Sequence, residues 1–366
     1  MHIGVPRETK SFEYRVGLTP ASVAELTRRG HEVLIEHNAG AGVDFGDDMY
    51  RSAGARIVVD AACAFAAELV VKVKEPSVEE CALVGADQVL FTYLHLATAK
   101  KQAHCLMKRG VTAIAYETVE DERGGLPLLT PMSEVAGRMS IQVGATALQK
   151  ATGGRGVLLG GVSGFAPANV VVLGGGVAGT NAAQMAVGLQ ANVTILDTSQ
   201  DRICELQNEF AGRARVLMAS TDSVVDQVES ADLVVGAVLI PGATTPKLVD
   251  SELLRRMQRG AVLVDVAIDQ GGCFASSRPA THDAPTFIEQ GVVHYCVTNM
   301  PGAVPRTSTE ALNNVTLPYV ANIADNGWRK ALAGDAGFQK GLNVAAGSIR
   351  HPAVAKALGV GCRLAA

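Results

Sequence analysis

Three side chains able to carry positive charge follow apolar runs early in the sequence. Lys74 stands near the end of LVVKVKEP, His95 near the end of QVLFTYLHL, and Arg15 in FEYRVGLTP, the loop after the first predicted strand. In an open α/β sheet, ligands bind outside the carboxyl ends of the strands. We therefore expect these groups to converge on one sheet edge and to suit a small anionic substrate, such as an amino or keto acid.

Arg15 and Lys74 also have ordinary structural interpretations. Arg15 could be a surface arginine that pairs with Glu8 or Glu13. Lys74 could pair with Glu75 in water, or discourage strand pairing at a sheet edge. The shared position after neighbouring strands is what favours a functional role.

Two further candidates carry similar alternatives. Asp269 ends AVLVDVAID, a predicted strand, and could face a cleft between domains, whereas Asp265 is expected inside the strand with a structural partner. Asp269 could instead be a turn aspartate that binds the backbone of Gly271. His95 could be a hydrogen-bonded residue at the start of a helix near Thr98.

The segment NVVVLGGGVAGTNAAQMAVGLQANVTILD, residues 169–197, predicts a dinucleotide-binding turn. Gly174 permits a tight turn, Gly176 lets the backbone approach a pyrophosphate, and Gly179 lets the next helix pack on its strand. The helix N-terminus supplies unpaired N–H groups to the phosphates. Asp197 ends the second strand, where a carboxylate binds ribose hydroxyls and favours NAD, although Arg202 leaves NADP open.

Composition narrows the class of protein. The 366 residues are 48% hydrophobic and 19% charged, which predicts two packed domains rather than disorder. A net charge of −4 and the absence of basic runs with interleaved aromatic residues argue against nucleic acid. The sequence also lacks a membrane-length apolar run and a signal-peptide pattern, and its seven scattered cysteines form no CxxC pair, so a cytoplasmic protein is expected.

Alternating β-branched and helical segments predict an α/β fold. We expect two doubly wound Rossmann-like domains with a cleft between them. The first, discontinuous domain comprises residues 1–128 and 307–366 and holds the substrate. The second comprises residues 129–306 and holds NAD. A long helix is expected from Ser133 to about Ala151, and the tail from about Ser308 is expected to be helical.

Over nearly its full length, the chain resembles the NAD-dependent L-alanine dehydrogenase family. The matching motifs occur in order and are GVPRETK, FEYRVGLTPA, VKVKEP, FTYLHLA, AYETV, PMSEVAGR, GGRGVLLGGV, the glycine segment, VDVAIDQGG and VTNMPG. The resemblance implies that the chain catalyses the reversible, NAD-dependent oxidative deamination of L-alanine to pyruvate and ammonium. It also implies a homohexamer.

The resemblance further implies roles for individual residues. Arg15 and Lys74 would bind the substrate, His95 would be the acid–base catalyst and Asp269 the second acid–base group. Met132 and Asn299 would line the substrate site. The residues implied to hold NAD are Ser133, Gly174, Gly176, Val177, Ala178, Gly179, Asp197, Arg202, Ser220, Val238, Leu239, Val266, Ala267, Ile268, Asp269, Arg278, Val297, Thr298, Asn299 and Met300.

Two positions depart from the family pattern. Some members carry an acidic residue and a histidine in the late helix, where this chain has Asn322 and Asn326, so no bound metal is expected. His294, in VHYCV, stands where an aromatic residue is expected and has no assigned role.

Other functions use the same fold. A related oxidoreductase could reduce glyoxylate to glycine or join an amino acid to a keto acid, and a larger second substrate would need a roomier pocket. An NAD(H)-binding subunit could pass hydride to a partner protein, but this would leave His95 and Lys74 without chemistry. A catalytically silent NAD sensor would not need the set Arg15, Lys74, His95 and Asp269.

Overall fold

The computed structural model describes residues 1–238 and 245–362, and Leu239, expected at the cofactor, lies outside these ranges. The described chain divides into two compact units. The first unit combines Met1–Met132 with Val304–Ala366, and the second comprises Ser133–Ala303.

The elements alternate along most of the described chain. The strands are β1 (His2–Val5), β2 (Glu32–Glu36), β3 (Arg56–Val58), β4 (Leu69–Val71), β5 (Val89–Thr92), β6 (Thr112–Ala115), β7 (Asn169–Leu173), β8 (Asn192–Asp197), β9 (Arg215–Met218), β10 (Leu233–Gly236), β11 (Val262–Asp265), β12 (Thr286–Glu289), β13 (Val292–Tyr295), β14 (Leu342–Ala345) and β15 (Ser348–Ile349). The helices are α1 (Pro20–Arg28), α2 (Asp47–Ser52), α3 (Ala61–Phe65), α4 (Val78–Cys81), α5 (Lys100–Arg109), α6 (Thr130–Ala147), α7 (Val177–Gly188), α8 (Gln200–Phe210), α9 (Thr221–Glu229), α10 (Ser251–Arg256), α11 (Pro305–Asn326), α12 (Trp328–Ala333), α13 (Ala336–Gln339) and α14 (Pro352–Leu358).

The first unit is built on a sheet whose described strands have the order β15-β14-β6-β5-β4-β1-β2-β3. Strands β1 to β6 pair in parallel, while β14 and β15 add antiparallel ladders at one edge. Helix α11 confirms the expected helical tail. The tail also returns β14 and β15 to the sheet, which the apolar pattern did not indicate because both strands are short.

Both faces of this sheet are buried, as parallel sheets require. Alternate residues of one strand enter different apolar clusters: Leu69 and Val71 pack on one face, and Val70 packs on the other. Phe91 and Leu90 of the neighbouring strand divide in the same way. The strand period of two therefore accounts for near-continuous apolar runs.

The second unit has a sheet of order β12-β13-β11-β10-β7-β8-β9 over the described residues. All its pairs are parallel except β12 with β13. The order reverses between β7 and β10, the arrangement that opens a ligand crevice in doubly wound sheets. The expected fold class, with two Rossmann-like α/β domains, is confirmed.

Helix boundaries follow local chemistry where the sequence supplies caps. The Thr19 side chain accepts a hydrogen bond from the backbone N–H of Ser22, and Pro20 occupies the first turn, so α1 begins where expected. Helix α6 instead begins at Thr130 and ends at Ala147, earlier at both ends than expected, and a separate 3-10 turn covers Lys150–Thr152. Among the described helices, none has the length and apolarity needed to cross a membrane.

Two glycines of α7 provide a matched test of helix–strand packing. A Cβ on Gly179 would lie 1.8 Å from the Gly174 carbonyl oxygen, whereas one on Gly188 would meet no heavy atom within 4 Å. We expect Gly179→Ala to lower the free energy of unfolding by roughly 1 to 3 kcal/mol because the backbone must shift. Gly188→Ala should raise it by roughly 0.5 kcal/mol through helix propensity. Chemical denaturation of both variants measures the difference, and equal effects would contradict the packing argument.

Candidate functional site

The three early candidates follow three adjacent parallel strands of the first unit. Strands β5, β4 and β1 are neighbours, so their carboxyl ends open on the same sheet edge. Arg15 belongs to the loop after β1. Lys74 and His95 lie three residues beyond β4 and β5, respectively, because both strands end earlier than the apolar runs indicate. The three residues therefore lie on the segments that follow neighbouring strands at this edge, and the convergence of their side chains stays a prediction.

Arg15 is buried rather than on the surface. Its Nε and Nη2 donate to the Glu13 carboxylate over 2.7 and 2.5 Å, and 2% of its side chain is exposed. Burial opposes the charge, but the hydrogen bonds and charge of Glu13 raise the pKa of Arg15 overall. Its Nη1 lies 3.0 Å from the Met132 sulfur, which brings the two expected substrate residues into contact. The paired guanidinium is a fixed positive group suited to a carboxylate.

The segment around Lys74 is held through its backbone. The Glu8 carboxylate accepts from the Lys74 N–H at 3.4 Å and from the Val73 N–H at 2.7 Å. The Thr92 hydroxyl donates to the Lys74 carbonyl over 3.0 Å. Lys74 is thus placed by residues from two other loops or strands.

His95 adopts an uncommon left-handed backbone, with φ of 48°. The Glu117 carboxylate accepts from the His95 N–H at 2.6 Å, and its two oxygens lie 3.3 and 3.2 Å from the Leu94 N–H. The imidazole stacks on the Tyr93 ring, with centroids 5.9 Å apart and planes 3° from parallel. The His95 side chain is 43% exposed, so solvent can reach its imidazole.

Two of the candidate residues influence the Glu75 carboxylate of the first unit. Burial would raise the pKa of Glu75, but Lys10, with smaller contributions from Lys74 and His95, lowers it. The Tyr93 ring, on which His95 stacks, is itself held in place because its hydroxyl donates to the Leu128 carbonyl over 2.6 Å.

The glycine turn of the second unit has the predicted form. Gly174 has φ of 96°, and a Cβ there would lie 2.9 Å from both the Ala237 carbonyl oxygen and Val238. A Cβ on Gly176 would meet no described heavy atom within 4 Å, so packing within the protein does not demand glycine there. Gly176 caps the N-terminus of α7, where Val177 is exposed and Ala178 follows. An approaching phosphate accounts for the open position, and the turn fits a dinucleotide.

Asp197 ends β8 beside this turn. Its carboxylate accepts from the Gly175 N–H at 2.7 Å and from the Ser199 N–H at 2.9 Å. The Arg202 guanidinium donates to the Gly175 carbonyl and to the Thr180 hydroxyl, each over 2.7 Å. Arg202 therefore braces the glycine turn.

The structure corrects the strand that was expected to end at Asp269. Strand β11 ends at Asp265, and Asp269 lies in a 3-10 turn, Ile268–Gln270. The Gly271 N–H donates to the Ile268 carbonyl, so it does not bind the Asp269 side chain. Asp265 has the structural role: its carboxylate accepts from Cys273 N–H and Ser277 hydroxyl.

The remaining cofactor candidates occupy segments of the second unit. Ser220 caps α9 by accepting from the Ser223 N–H. The Arg278 guanidinium lies 3.6 Å from the Phe287 ring centroid and pairs with Glu289 at 3.0 Å. The candidates on segments after strands β10, β11 and β13 are Val238, Val266, Ala267, Ile268, Val297, Thr298, Asn299 and Met300. Ser133 lies in the first turns of α6.

Two positions that depart from the family pattern have local partners. His294 is buried, stacks on Phe287 with centroids 4.8 Å apart, and shares a 2.7 Å hydrogen bond with Ser276. Its stacking explains why an imidazole can occupy an aromatic position. The Asn326 amide donates to the Asn322 side-chain oxygen over 2.9 Å. No group of three metal-type side chains occurs within residues 1–238 and 245–362.

Sequence reasoning named Glu13, with Glu8, as a possible partner of Arg15, and the structure shows the Glu13 pair within one segment. It missed two other contacts: Glu8 binds the backbone of the Lys74 segment, and Glu117 binds the backbone of the His95 segment. Both carboxylates stand in motifs that were already noted, GVPRETK and AYETV. Their backbone partners became evident only when separate loops came together.

Comparisons with known proteins agree over the whole chain. The N-terminal domain of alanine dehydrogenase/PNT matches residues 4–136, and the C-terminal domain matches residues 140–352. The alanine dehydrogenases of Halomonas elongata and Mycolicibacterium smegmatis are each 54% identical, covering 98% of this chain and 97% of theirs. That of Bacillus subtilis is 52% identical, covering 98% and 95%.

Solved structures show the same agreement. An L-alanine dehydrogenase superposes with a TM-score of 0.95 at 53% identity, covering 98% of this chain and 99% of that chain. A transhydrogenase from Sinorhizobium meliloti has a TM-score of 0.82 at 23% identity, covering 96% and 100%, and shares the fold.

The Glu13–Arg15 pair yields a stability prediction. Glu13→Gln should lower the free energy of unfolding by roughly 3 kcal/mol, because the buried guanidinium loses its charged partner. Glu25→Gln is the matched control, since the Glu25 carboxylate also binds arginines, Arg28 and Arg29, but at the surface. The control should leave the unfolding midpoint unchanged within error. Denaturant titration compares the two, and a Glu13→Gln midpoint equal to that of the control would contradict the buried-pair interpretation.

Proposed function

The chain belongs to the alanine dehydrogenase/PNT family, and we propose that its first unit binds substrate and its second binds NAD. It is an oxidoreductase that catalyses the reversible oxidative deamination of L-alanine to pyruvate and ammonium. The residue assignment rests on one observation: Arg15, Lys74 and His95 follow neighbouring strands that end at the same edge of the sheet.

NAD is the proposed cofactor of the glycine turn. Gly174 and Gly179 are required by close contacts with the protein, whereas Gly176 faces open space at the start of α7. Asp197, at the end of β8, would bind the ribose hydroxyls, and its charge would disfavour a 2′-phosphate. The hydrogen bonds of Arg202 to the turn and its ion pair with Glu205 support this preference, because they commit the guanidinium locally. When bound there, NAD would supply the acceptor for the hydride of the alanine Cα.

The substrate carboxylate is the proposed ligand of Arg15. This guanidinium is held by Glu13 on two of its nitrogens, while Nη1 lies toward Met132. A fixed guanidinium orients a carboxylate more closely than a mobile lysine does. Met132 and Asn299 are the proposed lining residues of the substrate site.

Proton transfer is assigned to His95, with Lys74 as the electrostatic partner. Loss of hydride from the neutral-amine form of alanine gives an iminium, which water attacks to form a carbinolamine. His95 would accept the proton of the attacking water and return it to the amino group, so that the C–N bond breaks and ammonia leaves. The carbinolamine hydroxyl gives up its proton as the pyruvate carbonyl forms, and ammonia takes up that proton as ammonium. The Lys74 ammonium would stabilise the oxygen on which negative charge develops.

Asp269 is the proposed second acid–base group. It stands on the 3-10 turn after β11, whereas the Asp265 carboxylate, four residues earlier, is already bound to the Ala267 and Cys273 N–H groups. The homohexamer, the cytoplasmic location and the absence of a bound metal remain predictions.

The first experiment measures NADH absorbance with purified protein, NAD⁺ and L-alanine in alkaline buffer. The wild-type chain should form NADH only when alanine is present, and His95→Ala should lower kcat by at least about 100-fold. His104→Ala is the control, because His104 is an exposed histidine of α5 that binds the Lys100 carbonyl of its own helix. Equal activity of the two variants would remove His95 from the mechanism, and no alanine-dependent NADH in the wild type would refute the assigned reaction.

Cofactor choice gives an independent prediction. Asp197→Asn keeps a hydrogen-bonding side chain but removes the charge, so the preference for NAD⁺ over NADP⁺ in kcat/KM should fall at least about tenfold. The KM for alanine should change little. Asp201→Asn, in the exposed first turn of α8, is the charge-matched control. An unchanged cofactor ratio in Asp197→Asn would show that Asp197 does not discriminate at the ribose.

A further inference from the structure

A buried lysine lies behind the substrate edge and takes no part in the proposed chemistry. Lys72 has a fully buried side chain, and its Nζ lies 3.3 Å from a Glu8 oxygen and 3.1 Å from a Glu80 oxygen. A buried ammonium is costly unless it is paired, so two carboxylates around one lysine need an explanation. We call these three residues the Lys72 cluster.

The two carboxylates of the Lys72 cluster have different second partners. Glu80 accepts from the Ser77 N–H at 2.7 Å, which caps the short helix α4. Glu8 instead accepts from the N–H groups of Val73 and Lys74, at 2.7 and 3.4 Å. Glu8 is therefore the member of the cluster that binds the backbone of the proposed substrate lysine.

The Glu8 contact acts just beyond the end of strand β4, where the Val73 carbonyl still accepts a hydrogen bond from the Tyr93 N–H. Strand β4 ends at Val71, three residues before Lys74. Glu8 holds the N–H side of this segment, and Thr92 holds the Lys74 carbonyl from the neighbouring strand β5. Together they fix the Cα from which the Lys74 side chain extends.

We propose that Glu8 is a positioning residue for Lys74, and that Lys72 serves to keep the Glu8 carboxylate in place beneath it. This inference rests on the proposed substrate role of Lys74. Glu8 itself does not contact substrate in this scheme. Its contribution is the orientation of Lys74 toward the developing oxygen charge, where small displacements reduce catalysis strongly.

The charges around Glu8 and Lys72 agree with the roles proposed for these two residues. Burial raises the pKa of Glu8, and the charge of Lys72 and the Val73 hydrogen bond oppose that rise. Burial also disfavours the charged form of Lys72, but Glu8 and Glu80 together raise the pKa of Lys72 above its ordinary value. The lysine therefore remains available as the counter-charge for a buried carboxylate.

The test compares Glu8→Leu with Glu80→Leu in the full-length protein. Both variants leave Lys72 with one carboxylate, but only Glu8→Leu releases the Val73 and Lys74 N–H groups. For Glu8→Leu we expect the KM for alanine to rise, or kcat to fall, about ten- to a hundredfold, with the KM for NAD⁺ within about twofold of wild type. Glu80→Leu should lower the unfolding midpoint similarly while changing the alanine kinetics by less than about threefold.

A conservative variant separates the binding of the two backbone N–H groups from the negative charge of Glu8. Glu8→Gln retains an oxygen that can accept the two N–H groups, so it should recover most of the alanine kinetics lost in Glu8→Leu. If Glu8→Leu does not fold, Glu8→Asp replaces it, because its carboxylate is one methylene short of the Val73 N–H. Equal kinetic losses at Glu8 and Glu80, or a Glu8→Gln variant as impaired as the Leu or Asp variant, would overturn the proposal. Wild-type activity with alanine is measured beside them, so failure of the function itself is distinguished from failure of this inference.

Discussion

Parallel pairing of β1, β4 and β5 is the constraint on which the candidate substrate site depends. Parallel strands in register end at the same edge of the sheet, so the segments that follow them begin side by side. Arg15, Lys74 and His95 are separated by tens of residues, yet each belongs to one of these three exits. The ladder brings the segments together, and the side-chain hydrogen bonds then set their details.

Charge compensation is the second requirement at this edge. A cationic pocket for a small anion repels itself, and burial removes the water that would screen it. The first unit places carboxylates beside its buried cationic side chains: Glu13 on Arg15, and Glu8 and Glu80 on Lys72. Glu117, like Glu8, binds backbone N–H groups, and it holds the segment in which His95 has its left-handed conformation. Such a strained residue persists where its surroundings over-determine it, which is common at functional sites.

In the second unit, small residues meet the two requirements of the glycine turn. The turn must pack tightly against the protein and leave open space where a ligand approaches. Gly174 and Gly179 meet neighbouring atoms at distances that no Cβ tolerates, whereas Gly176 faces open space. This division matches the separate duties that the GxGxxG spacing indicates.

Much of this could be predicted from the sequence, because the signals are local. The β-branched runs and the capped start of α1 predict the alternating elements, the glycine spacing predicts the turn at β7, and Asp197 falls at the end of β8 as expected. Strand ends were less predictable, since apolar residues and single backbone hydrogen bonds continue past Val71 and Asp265, where β4 and β11 end. The return of β14 to β6 and the backbone partners of Glu8 and Glu117 were decided by tertiary structure. Local sequence shows which residues are apolar, charged or conformationally free, but only the folded sheet determines which distant loops meet and which buried charges become partners.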